Sequence, residues 1–169
     1  MPHVKLKAIR PPKMNEAAAK QIMRNALRKE GRHVLKDFEE TTKTWDHEVD
    51  FKTHTHLAMS DLIMSVEVET DDEIYNYVSG GTKPHPIMPK KRGGTLAFQS
   101  GYKAKTRPRQ IGSGSGGSFG PTVFAKAVKH PGTKARRFPT AIWKKRTPEF
   151  YKEMWIAWRK AIKATGHGG

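Results

Sequence analysis

The sequence predicts an α+β fold: a long N-terminal helix, an antiparallel β-sheet carrying a long basic loop, and a C-terminal helix. Three observations predict it. Apolar residues recur at helical spacing before Thr44 and again after Thr147, they alternate at strand spacing over 49–68, and glycine, serine and proline crowd residues 112–121. The chain of 169 residues suffices for one domain. The expected organisation is an N-terminal arm over 1–14, a single α+β domain over 15–164 and a C-terminal tail over 165–169.

Each element has its own signal. Asn15 is placed to cap the first helix, with Glu16 in the first turn, where the helix dipole favours an acid. Ala19, Ile22, Met23, Ala26, Leu27, Val34 and Phe38 follow at three- and four-residue steps, and the period stops near Thr41–Thr44. Gly31 weakens the middle of this helix. Val49, Phe51 and Thr53 alternate with polar residues, as do Leu62, Met64, Val66 and Val68, giving two half-buried strands joined at Ser60-Asp61. Asp71-Asp72 opens a short segment with Ile74, Tyr75, Tyr77 and Val78, closed by Gly80-Gly81.

Thr95–Phe98 is the next strand candidate. Residues 99–121 read as a flexible Gly/Ser-rich basic loop without core-forming residues, expected to be disordered in an isolated subunit and ordered by neighbours. Thr122–Val128 is a strand leading to His130-Pro131-Gly132. The chain turns helical from Phe138, and Thr147-Pro148-Glu149 carries the marks of a helix start: a capping hydroxyl, proline at the first position and an acid after it. Phe150, Met154, Ala157, Trp158 and Ala161 form its stripe and Gly166 its stop. Phe38, Val66, Phe138 and Trp158 are the expected buried anchors.

The net charge of +16 is unevenly spread. Residues 37–73 hold twelve acids and two lysines, whereas residues 74–148 hold sixteen Lys/Arg and no acid. So long a stretch without a carboxylate cannot neutralise itself and needs acidic protein, nucleic acid or both. The acidic block answers it either in a neighbouring subunit, as in a head-to-tail ring, or within the same chain; the sequence leaves both open. Lys103, Lys105, Arg107 and Arg109 are the candidate contacts, either to Asp71, Asp72 and Glu73 of an adjacent subunit or to the phosphates of DNA. A free, non-sequence-specific nucleic-acid-binding protein using 83–146 is the alternative reading. Without cysteine there is no disulfide scaffold and no thiolate metal site. No apolar run approaches the ~18 residues of a membrane span, and the start lacks a signal-peptide core. The expectation is a soluble protein, cytoplasmic when made, with no membrane partner.

Catalytic patterns are weak. His54 and His56 share a strand face and could begin a metal site with Asp61 or His47, but no third ligand stands at a diagnostic spacing. His85 and His130, beside prolines, suit structural hydrogen bonds. The glycines from Gly112 to Gly120 lack the flanking strand and helix of a phosphate cradle. Trp143, Trp155 and Trp158, near Lys144, Lys145 and Arg146, could stack on bases, but their helical spacing favours core or interface packing. Neither an enzymatic activity nor a cofactor is expected.

Two segments are more specific. One runs Tyr75-Asn-Tyr-Val-Ser-Gly-Gly-Thr-Lys-Pro-His-Pro-Ile-Met-Pro-Lys90 and is followed by Leu96-Ala-Phe98; the other runs Val123-Phe-Ala-Lys-Ala-Val-Lys-His-Pro-Gly-Thr-Lys-Ala-Arg-Arg-Phe138. Together they resemble the tail-completion, or head–tail joining (neck), family of long-tailed bacteriophages, over about Ala17 to Ile162. Gly80, Gly81, Thr82 and Lys83, and His130, Pro131, Gly132, Thr133, Lys134, Arg136 and Phe138, are the positions that carry the likeness. Physically they read as twin turns, in which glycine permits positive φ and threonine bonds backbone, with Phe138 anchoring the last helix. The resemblance implies a non-enzymatic virion protein, made in the host cytoplasm and placed at the tail–neck junction. It implies a six-fold ring of copies of the chain, between tail-terminator or tail-tube protein and neck or head-completion protein, with genomic DNA in the lumen. The extended segment 83–122 departs from the shorter members.

Overall fold

The computed structural model describes residues 16–58, 63–112 and 114–166. The capping role of Asn15, the arm over 1–14, the turn at Ser60-Asp61, Leu62 and the end of the tail lie outside them. The architecture is α+β, as expected.

Helix α1 spans Glu16–Thr42 and helix α3 spans Phe138–Ala164. The two pack together through Ala19, Met23 and Leu27 of α1 and Met154, Ala157 and Ala161 of α3, all buried. Alanine at three of these contacts lets the helix surfaces approach closely. A second core lies at the other end, where Phe38, Phe51, Tyr75, Phe138 and Ile142 meet. Phe51 sets its ring edge-on to Tyr75 with centroids 5.1 Å apart, and Tyr75 lies 5.7 Å from Phe138, separations favourable for aromatic pairs.

Strands β1 (Lys52–Ala58) and β2 (Ile63–Glu69) form an antiparallel pair that packs on α1. The first strand thus begins at Lys52, later than the alternation at Val49 suggested. Gly31 explains itself here: a Cβ on it would meet the methyls of Thr53 and Thr55 at 3.3 Å, so its absence lets the sheet close on the helix. Helix α2 (Glu73–Gly80) occupies the short apolar segment after Asp72. The Asp72 carboxylate caps it, accepting a 2.6 Å hydrogen bond from the Tyr75 N–H.

Four expectations need correction. Among the described residues the strands make three separate two-stranded sheets, β1 with β2, β3 (His85–Ile87) with β6 (Val128–His130), and β4 (Leu96–Lys103) with β5 (Gly117–Ala125), not one sheet. Residues 99–121 are not a free loop. β4 (Leu96–Lys103) and β5 (Gly117–Ala125) pair antiparallel across that segment, leaving 104–116 as the connection. Gly101 makes the pairing possible, because the Phe119 ring lies where its Cβ would stand, 2.3 Å away. Thr147-Pro148 does not start a helix; it sits inside α3, where the Thr147 hydroxyl donates to the Trp143 carbonyl at 2.7 Å. A strong local start signal is overridden because Phe138 and Ile142, one turn apart, are held in the core on the near side. Lastly, Val66 and Trp158 are only half-buried, at the margin of the α1–α3 core, whereas Phe38 and Phe138 are buried as expected.

Candidate assembly interface

The two motif segments lie against each other. Thr82 and Thr133 form an antiparallel bridge, each N–H donating to the other's carbonyl at 3.0 and 3.1 Å. The Thr82 hydroxyl also accepts from the Thr133 N–H at 2.9 Å. Beyond the bridge, β3 (His85–Ile87) pairs with β6 (Val128–His130), and the rings of His85 and His130 approach to 5.1 Å. Each histidine also takes a local backbone partner: His85 Nδ1 lies 2.8 Å from the Lys83 carbonyl, and His130 Nδ1 accepts from the Gly132 N–H at 3.1 Å. Both make the local hydrogen bonds that their neighbouring prolines suggested. Gly81 and Gly132 have φ of 81° and 89°, and a Cβ on Gly132 would fall 2.3 Å from the Thr82 carbonyl oxygen. Gly80, by contrast, merely ends α2, with open space beside it. Arg136 is buried; it donates to the Thr106 hydroxyl at 3.2 Å and the Lys134 carbonyl at 2.7 Å. Lys83 and Lys134 remain exposed.

The basic residues divide. Lys105 turns inward, donating to the Thr44 carbonyl at 3.0 Å with Asp46 at 3.7 Å. Thr106 is buried, the Arg109 N–H donates to the Arg136 carbonyl at 2.7 Å, and Ile111 packs on the aromatic core. The connection 104–116 is therefore fastened to the body, which corrects the expectation of a loop free to reach a neighbour. Lys103, Arg107 and Arg109 keep exposed side chains.

The acidic block divides too. Asp72 is committed to its helix cap and to a close contact with His47. The Tyr75 N–H and the His47 ring, against some burial, hold its carboxyl below the usual range. Asp71 is almost fully exposed at 98%, with Lys52 at 3.6 Å, and Glu73 is exposed. Asp37 is buried and accepts from Arg146 at 2.6 Å and Lys145 at 2.9 Å. Part of the acid–base matching is thus internal, and Glu48, Asp50, Glu67, Glu69, Asp71 and Glu73 are left facing outward.

The features the sequence did not reveal are the two apolar surfaces. In the β4–β5 hairpin nearly every side chain of both faces is exposed, including Phe98, Tyr102, Phe119 and Phe124. Neither strand packs extensively on another element. The other surface is a groove of about 360 Å³ between β2 and α3, floored by Phe38, Met64, Val66 and Ile142. Trp143 and Tyr151, 66% and 68% exposed, stand among its lining residues. Trp143 and Trp155 are thus outside the core, and Trp158 alone of the three packs on it.

His54 and His56 lie on the outer face of β1, with His54 Nε2 3.2 Å from Glu69. Among the described residues no group of three His, Cys, Asp or Glu side chains is placed to hold a metal ion, and no helix is long and apolar enough to cross a membrane. Neither a family model, nor a curated protein, nor a solved structure matches the chain.

Proposed function

We propose that the chain is a structural ring subunit that completes the tail of a long-tailed bacteriophage and joins it to the neck. The observation that carries this reading is the β4–β5 hairpin, which exposes aromatic residues on both faces of a two-stranded sheet. An isolated two-stranded sheet is marginal in water, and exposed apolar strands invite pairing. Such an element makes physical sense when neighbouring subunits cover it. Charge agrees: the hairpin belongs to an acid-free stretch, while residues 37–73 present exposed acids on the body. The mutual bridge between the two motif segments gives the family resemblance a structural reason, since each motif is the other's partner. In this reading the ring is six-fold, stacked between tail-terminator or tail-tube protein and a neck protein, with DNA passing through its lumen.

Native mass spectrometry of the purified chain, and its recovery in purified phage particles, test the proposal. A closed oligomer that co-purifies with tails supports it. A chain that stays monomeric and never appears in particles overturns it. The second reading, a free nucleic-acid-binding protein, is favoured by the acid-free stretch alone. It requires a monomer whose DNA affinity falls steeply with salt.

A further inference from the structure

Two apolar surfaces of this chain are uncovered among the described residues. One is the end of the β4–β5 hairpin remote from the fastened connection 104–116. There Phe98 faces Val123 across the sheet and Ala97 faces Phe124, with Phe124 70% exposed. Beside this end in sequence lie the exposed Lys90, Lys91, Arg92 and Lys126, with no acid among them. The other surface is the β2–α3 groove, with its apolar floor and with Trp143 and Tyr151 among its lining residues; its charged lining residue, Arg146, is paired with Asp37 and Glu149. β2 pairs only with β1 among the described residues, so its second edge is open, and it bears Glu67 and Glu69 outward. β2 is seven residues long, against eight and nine for β4 and β5.

We propose that the β4–β5 hairpin of one copy lies along the open edge of β2 in the next copy, placing Phe124, on one face of the hairpin, in the β2–α3 groove. The occupant is a second copy of this chain. Three facts select it: every copy carries both surfaces, the cations beside the hairpin are opposite in charge to Glu67 and Glu69 on β2, and the strands are of similar length. The main-chain groups of β2 and a hairpin strand give the pairing its strength, and the groove gives it register. The contact is head-to-tail, so it closes into a ring or runs on as a filament according to the rotation between copies. Lys103, Arg107 and Arg109 are not needed for it and stay available to other partners.

The inference rests on the ring reading, and the experiment separates the two. The chain has no cysteine, so engineered thiols report only the designed pair. Mixing S65C and F124C chains should give a disulfide-linked dimer that neither variant yields alone. The F98D/F124D variant should unfold at an unchanged temperature, because neither side chain supports the core. It should assemble only at a concentration about tenfold higher or more, the usual effect of removing a central apolar anchor. An unmodified chain that is monomeric at every concentration overturns both the ring and the hairpin contact. An unmodified chain that assembles, together with an F98D/F124D chain that assembles equally well, leaves the ring standing and overturns the hairpin contact. Loss of DNA binding with assembly intact overturns it as well and assigns the hairpin to nucleic acid.

Discussion

The helical body and the β4–β5 hairpin both carry phenylalanine, valine and alanine, but they place them oppositely. In the body, Phe38, Phe51, Tyr75 and Phe138 converge from three helices and the residue before β1 into one closed cluster. In the hairpin, Phe98, Phe119, Val123 and Phe124 are exposed. The body's aromatic contacts are complete within one copy, as is the pairing of Asp37 with its two cations. The hairpin's are not. On the proposed reading the body carries stability and the hairpin assembly, so substitutions in the two regions should fail in different assays.

Phe138→Ala gives the largest expected effect. Its side chain is fully buried at the start of α3, and truncating such an aromatic costs about 3–5 kcal/mol. Urea unfolding followed by tryptophan fluorescence measures it. A cost under about 1 kcal/mol would place the ring outside the core and erase the contrast with the hairpin.

Asp37→Asn should follow, at about 3 kcal/mol, the lower end for breaking a buried ion pair because Lys145 is half-exposed. Burial pushes the Asp37 carboxyl up, but the hydrogen bonds and charges of Arg146 and Lys145 outweigh this and hold it below the usual carboxylate range. A folded-state pKa below the unfolded value of about 3.9 stabilises fully above that value, and the stabilisation is lost as pH falls through the folded pKa. The pH dependence of unfolding below about 4 should therefore flatten in Asp37→Asn. An acid limb unchanged by the substitution would remove Asp37 from the account.

Gly132→Ala should cost about 2 kcal/mol, since it combines left-handed backbone with a clash against the Thr82 carbonyl. Gly80→Ala is the control, at the end of α2 with open space around it, and should change stability by less than about 1 kcal/mol in either direction. Equal effects at the two positions would mean that the Thr82–Thr133 bridge does not depend on the close approach.

The sequence revealed most about the body and least about the hairpin, for physical reasons. The three- and four-residue spacing of α1 runs from Ala19 to Phe38, and Met23, Leu27 and Phe38 are all legible from it. The hairpin shows no such pattern, because a strand exposed on both faces has no alternation to read, and Gly101, Gly117, Gly120 and Pro121 imitate a loop. Thr147-Pro148 misled for the opposite reason: its local signal is strong, but tertiary packing of Phe138 and Ile142 carries the helix through it. Each glycine-threonine turn is legible singly. Their bridge joins residues 51 positions apart, and nothing local encodes it. The inward turn of Lys105 toward Thr44 and Asp46 is equally nonlocal.

Phe124→Ala gives the smallest effect on folding and the sharpest test of the comparison. At a concentration where the chain is monomeric, removing an exposed ring should change unfolding by under about 0.5 kcal/mol. The same substitution should weaken assembly about tenfold or more if Phe124 is an anchor of the subunit contact. Sedimentation velocity across a concentration series reads the second quantity, and urea unfolding of the monomer reads the first. A variant that loses stability but not assembly would place Phe124 in the fold and reverse the division drawn between hairpin and body. One that loses neither would make the exposed aromatic face idle, and the acid-free charge would then be the hairpin's only means of holding a partner. In that case assembly should weaken steadily with salt, since solvent-exposed ion pairs are screened over about 10 Å at 0.1 M, whereas a contact anchored by buried rings should resist it.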